Sequence, residues 1–173
     1  SPKATATNPT TNEIRAPRQL PNQPDGPLLL SDLEAGLRGS ESHFPPSRLI
    51  CLENTHNSCG GTYQTPDYFR QVSEFAHSHG LKVHLDGARI FNASVAQNVD
   101  VKEFAQHVDS LTFCLSKGLA APVGSLICGT REFIQRAHRQ RKVLGGGMRQ
   151  AGIIAAAGIV ALETMVERLS EDH

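Results

Sequence analysis

Short apolar runs alternate with amphipathic stretches along most of this chain. Segments 48–53 (RLICLE), 82–85 (KVHL), 110–115 (SLTFCL) and 125–128 (SLIC) have the length and composition of strands. Between the first two, Pro66 opens a predicted helix to His79. Phe69, Val72, Phe75 and Ala76 share its apolar face, and Gly80 stops it. Further helices are predicted over 89–97, 101–107, 131–143 and 148–169, the last two separated by Gly145-Gly146-Gly147. Upstream, Ser31 is placed to cap a short helix through Leu37, with Glu34 completing a capping box. Segment 125–128 follows its predecessor too closely for a helical crossover, so it is predicted antiparallel. Strand–helix alternation of this kind implies an α/β fold, a three-layer sandwich around a mostly parallel sheet. Residues 1–17 show no hydrophobic periodicity and read as a disordered or unrelated leader, leaving 18–173 as one domain.

Composition narrows the function classes. Lysine plus arginine number 17, as do aspartate plus glutamate, so no global field favours nucleic acid or an anionic membrane. The basic run 136–142 (RAHRQRK) lacks interleaved aromatic residues and reads as a solvated helix face. The apolar stretch 151–162 ends at Glu163 and is too short to span a bilayer. Cys51, Cys59, Cys114 and Cys128 form no CxxC pair. Three of them lie in apolar runs, where reduced thiols act as small hydrophobes, which points to the cytoplasm. His77, His79 and His84 straddle a helix end and present no shared metal-ligand face, so no metal is expected.

Candidate chemistry collects where apolar strands end, which is where open α/β sheets bind ligands. Three polar clusters occupy such ends: 53–59, 86–89 and 116–117. Asp86 follows Val83-His84-Leu85, and a carboxylate there can hold a proton on a pyridine nitrogen. Lys117 follows Cys114-Leu115-Ser116, and a lysine there can serve as a Schiff-base nucleophile. Read singly, Asp86-Gly87 also fits a plain turn and Lys117 a surface side chain. Read together, they form the acid–lysine pairing of pyridoxal-phosphate (PLP) enzymes.

Longer motifs sharpen this. LENTHN (52–57), HLDGARIFNA (84–93), CLSKGL (114–119), APVGS (121–125) and GGGMRQAG (145–152) closely resemble the low-specificity L-threonine aldolases. These are fold-type-I PLP lyases of the beta-eliminating lyase and threonine aldolase superfamily. The resemblance runs in order from about Leu20 to Leu169 and implies part of a fold-type-I large domain. It implies cleavage of L-threonine or L-allo-threonine to glycine and acetaldehyde, in threonine catabolism and glycine biosynthesis, by a homo-oligomer. By the same resemblance Lys117 matches the Schiff-base lysine and Asp86 the partner of the pyridinium nitrogen. Arg89 matches an arginine near the substrate carboxylate and the cofactor's ring oxygen, and His43 a histidine near the substrate hydroxyl. Lys142 and Arg149 match basic residues that reach the cofactor phosphate across a subunit interface, and His56 lines the site.

The family's upstream phosphate loop, its ring-stacking histidine and its small C-terminal domain have no counterpart in this sequence. The chain therefore reads as a truncated member with an exposed sheet edge and little turnover of its own. A catalytically weak remnant and a β-eliminating lyase stand as alternatives to the aldolase.

Overall fold

The computed structural model describes residues 17–39 and 45–172, with the side chain of Asp172 left aside. The predicted leader, apart from Pro17, and His43 lie outside the described residues. In chain order the elements are α1 (Leu30–Gly36), β1 (Leu49–Glu53), α2 (Pro66–Ser78), β2 (Lys82–Asp86), α3 (Ile90–Gln97) and α4 (Lys102–Ala105). Then come β3 (Ser110–Cys114), β4 (Ser125–Gly129), α5 (Arg131–Val143) and α6 (Gly152–Thr164).

The strands form one sheet in the order β1-β2-β3-β4. β1, β2 and β3 run parallel, and β4 pairs antiparallel with β3, as the short connection requires. Register places Leu52, Leu85 and Leu111 in one row across the sheet, with Ile50 beside Val83. All of these are buried, as are Phe69, Val72 and Ala76 of α2, Ile90 and Ala93 of α3 and Phe104 of α4. Phe69 meets Phe104 edge to face, with ring centroids 5.9 Å apart. The opposite sheet face carries Cys51, His84, Thr112 and Ile127, and α5 crosses it at β4, where the Phe133 ring lies against Gly129. Helices thus flank both faces, giving the α/β sandwich.

Local chemistry sets the helix ends. Thr65 caps α2 by accepting from Tyr68 N–H, Pro66 takes the first turn, and Gly80 follows with φ +70°. Thr130 caps α5 in the same manner through Phe133 N–H. Three expectations need correction. α1 starts at Leu30 with extended Leu29 ahead of it, so Ser31 lies inside the helix and forms no capping box. The last long helix covers only Gly152–Thr164, and a 3₁₀ turn at Glu167–Asp172 then buries Leu169. Cys51 and Cys128 are exposed rather than packed in the core: strand alternation turns Cys51 to the other face, and Cys128 lies on edge strand β4, which is exposed along its whole length.

At the amino end of β2, Asp109 is a structural clamp. Its carboxylate accepts from Lys82 Nζ at 2.8 Å and from Val83 N–H at 2.8 Å, and lies 3.0 Å from His77 Nε2. Burial alone would raise this carboxyl. Lys82, His77 and the Val83 N–H outweigh it and lower the pKa to about 2. Among the described residues no helix is long and apolar enough to cross a membrane.

Candidate active site

Parallel pairing brings the carboxyl ends of β1, β2 and β3 to one sheet edge, and antiparallel β4 begins there with Ser125. Glu53 and Asp86 are register partners on this edge, Asp86 is paired with Thr112, and Asn54 N–H donates to Asp86 O at 2.9 Å. Gly87 is required directly afterwards. Its N–H donates to Thr112 O at 2.8 Å, and a β-carbon would sit 2.9 Å from that oxygen and 3.0 Å from Ile90. The chain then turns so that Asp86 Oδ1 accepts Ala88 N–H at 3.1 Å, while its side chain stays exposed.

Arg89 follows as the residue preceding α3, and its Nη1 donates to Asn57 Oδ1 at 3.2 Å. Asn57 belongs to the loop after β1, where its backbone N–H donates to Glu53 Oε1 at 3.0 Å. A fully buried Asn54 closes that loop by donating to Gln64 O at 3.3 Å and accepting Gln64 N–H at 3.2 Å. His56 N–H donates to Thr62 O at 2.7 Å, and His56 O accepts Gly61 N–H at 3.0 Å. The segment is a folded unit rather than a slack connection.

A cavity of about 800 Å³ opens between this edge and the segment around α1, with Glu53, His56 and Asp86 in its wall beside Arg38 and Tyr68. His56 Nε2 lies 3.9 Å from Glu53 Oε2. Its Nδ1 is buried without a hydrogen-bond partner among the described residues. Gly26 presses against the same ring, since a β-carbon there would come within 2.9 Å of His56 Cβ. Farther down β2, His84 Nδ1 and the Ser110 hydroxyl are hydrogen-bonded at 2.8 Å. Burial holds the His84 imidazole below its ordinary pKa, and Asp86 partly opposes this. The exposed Asp86 carboxylate in this wall suits a basic ring nitrogen, but neither Arg89 nor Lys117 lies in the wall of this cavity.

Lys117 stands on the same edge, three residues past the end of β3, with an exposed side chain. Its turn is set by Ala120 N–H donating to Lys117 O at 2.9 Å, with Ala120 at φ +58°. Gly118 admits Asn92 and Leu169, which would meet its β-carbon at 2.7 and 2.9 Å. Among the described residues no hydrogen bond or ion pair joins Lys117 to Asp86. Lys142 and Arg149 lie outside the cavity wall, exposed at the end of α5 and in the connection to α6. Sequence reasoning missed the parts played by Asn54, Asn57 and Glu53. Only their place inside the LENTHN motif marked them, and neither periodicity nor spacing assigns them partners.

Known proteins are similar to this chain in sequence and in fold. The low-specificity L-threonine aldolase 1 of Arabidopsis thaliana is 47% identical over 159 residues, covering 91% of this chain and 44% of that protein. The low specificity L-threonine aldolase of Escherichia coli K12 is 48% identical over 157 residues, covering 91% and 46%. This chain thus spans just under half the length of the curated relatives it matches. In fold it matches the structure of Leishmania major threonine aldolase with a TM-score of 0.70 at 23% identity, covering 84% of this chain and 43% of that one. The beta-eliminating lyase profile matches residues 3–173, nearly the whole sequence, and with the sheet-edge loops arranged as described the chain belongs to the beta-eliminating lyase family.

Proposed function

We propose that this chain is the lysine-bearing part of a pyridoxal-phosphate-dependent lyase that cleaves L-threonine or L-allo-threonine to glycine and acetaldehyde. The observation that carries this reading is the shared sheet edge. It gathers Asp86, Arg89 and Lys117 from neighbouring strands, in a chain 47% and 48% identical to the named threonine aldolases over the matched residues.

When bound, pyridoxal phosphate supplies an electron-poor ring that takes up the negative charge left on the substrate α-carbon. Asp86 holds the proton on the ring nitrogen and so keeps that ring electron-poor. Lys117 would provide the amine that holds the cofactor. Arg89 orients the substrate carboxylate by charge-assisted hydrogen bonds. His43 takes the proton from the β-hydroxyl, so that the bond between the α- and β-carbons breaks as the aldehyde forms. His56 lines the cavity beside Asp86. Lys142 and Arg149 serve the phosphate of a neighbouring copy in a homo-oligomer, in keeping with their place away from the cavity wall. That placement also favours a second reading, in which one chain alone binds the cofactor weakly and turns over little. We assign residues 18–173 to a single partial large domain and place the protein in the cytoplasm, with free cysteines as support.

The test is glycine formation from L-threonine with saturating pyridoxal phosphate, comparing wild type with Lys117→Ala. Turnover that vanishes in the variant supports the aldolase, and retained turnover overturns it. Cofactor binding without glycine supports the weak-remnant reading. Pyruvate from L-serine without glycine from L-threonine would instead indicate β-elimination.

A further inference from the structure

We propose that Asn57 is a positioning residue for carboxylate recognition, deciding which edge of the Arg89 guanidinium is offered to the substrate. A guanidinium can grip a carboxylate with two parallel N–H bonds, either end-on through both terminal nitrogens or side-on through Nε and Nη2. The Asn57 carbonyl, 3.2 Å from Arg89 Nη1, takes up one of the two N–H bonds on a nitrogen that end-on binding needs and holds the guanidinium by that end. The Nε/Nη2 edge stays available, and no other hydrogen bond or ion pair engages Arg89 among the described residues.

Asn57 can impose this choice because it is itself held. Glu53 Oε1 accepts its backbone N–H at 3.0 Å, and buried Asn54 ties the loop to Gln64. The loop is also fixed to the Asp86 strand, since Asn54 N–H donates to Asp86 O at 2.9 Å. One relay therefore runs from Glu53 through Asn57 to Arg89, and its far end is in register with Asp86. An arginine ahead of a helix, on a long flexible stem, would otherwise sample several rotamers. A bidentate contact loses strength steeply as its angles depart from linear.

This inference rests on the proposed function for its ligand, an amino-acid carboxylate, but the restraint on Arg89 can be measured without cofactor or turnover. The measurement is the rate at which phenylglyoxal, an arginine-selective dicarbonyl, modifies Arg89 in the full chain, followed by peptide mass spectrometry. Asn57→Ala keeps the backbone bond to Glu53 and removes the side-chain carboxamide with its acceptor oxygen. It should raise the Arg89 rate roughly threefold, the effect of losing one solvent-exposed hydrogen bond of small net strength. Asn57→Asp restores an acceptor and should bring the rate back to or below that of wild type, with other arginines unchanged in both variants. Equal Arg89 rates in wild type and Asn57→Ala would overturn the proposal, as would acceleration of all arginines alike, the mark of a loosened fold. A second arm adds L-threonine with pyridoxal phosphate. Protection of Arg89 in wild type that weakens in Asn57→Ala supports the full proposal. Accelerated modification in Asn57→Ala with no protection in wild type would strike the amino-acid reading while leaving the Arg89 restraint supported.

Discussion

At the residue scale, the side chains that fix the fold and those that define the site occupy opposite ends of the same strands. Asp109 works at the amino end. Its carboxyl is lowered to about 2 from the usual 3.8, so its ionised form is favoured in the folded state. That stabilisation is fully present above about pH 3.8 and is lost as pH falls through about 2, because both folded and unfolded states are then protonated. Asp109→Asn should therefore cost about 1 kcal/mol at pH 6, a modest value since Lys82 and His77 are largely solvated. Urea titrations of both proteins should converge as pH falls from 4 toward 2, and a gap that persists unchanged at pH 2 would contradict the clamp. Asp86 and Lys117 stand out at the carboxyl ends because each follows an apolar strand directly. Asn57 does not stand out in the sequence, because its value lies in an acceptor aimed at an arginine 32 positions away.

Among elements, the loop after β1 departs most from an ordinary connection. Asn54 is fully buried and bonds both the backbone N–H and the backbone carbonyl of Gln64, so it acts as an internal staple. Asn54→Ala would leave the part-buried Gln64 N–H without its partner, while the Gln64 carbonyl keeps Gln97 Nε2 at 3.2 Å, at a cost of about 1–3 kcal/mol. Chemical denaturation should show that loss, accompanied by faster amide exchange at His56 and Gly61; an unchanged midpoint would mean that the loop is held by other contacts. Much of the element order was legible in the sequence. Helices α2 and α5 carry their own Thr caps and a Pro or Gly signal, and β4 had to be antiparallel. The helix predicted over 148–169 was less legible, because its small apolar residues carry no stripe to mark where winding begins or ends. The alternation in RLICLE was hidden as well. Every residue from Leu49 to Leu52 is apolar, yet only Ile50 and Leu52 face the helices. A continuous apolar run does not say which side is inward until neighbouring strands are in place.

For the whole molecule, parallel register unites three loops that are far apart in sequence, and this makes the candidate site a property of the sheet. Leu49, Ile127, Ile153 and Val160 are all more than two-fifths exposed, so apolar surface remains on the edge strand, on β4 and along α6. Such surface suits the homo-oligomer proposed above. Motif resemblance supplied the roles of Asp86, Arg89 and Lys117, while the sheet supplies their common edge. The account's central claim is that Lys117 is the covalent anchor for pyridoxal phosphate on that edge. The most direct test is the visible absorbance that develops when the cofactor is added to the 173-residue chain, read in wild type and Lys117→Ala, with borohydride reduction and mass spectrometry locating the attachment. The account predicts a band in wild type, its loss in Lys117→Ala, and a reduced adduct on the peptide containing Lys117. The same band in Lys117→Ala, or an adduct confined to other lysines, would contradict it.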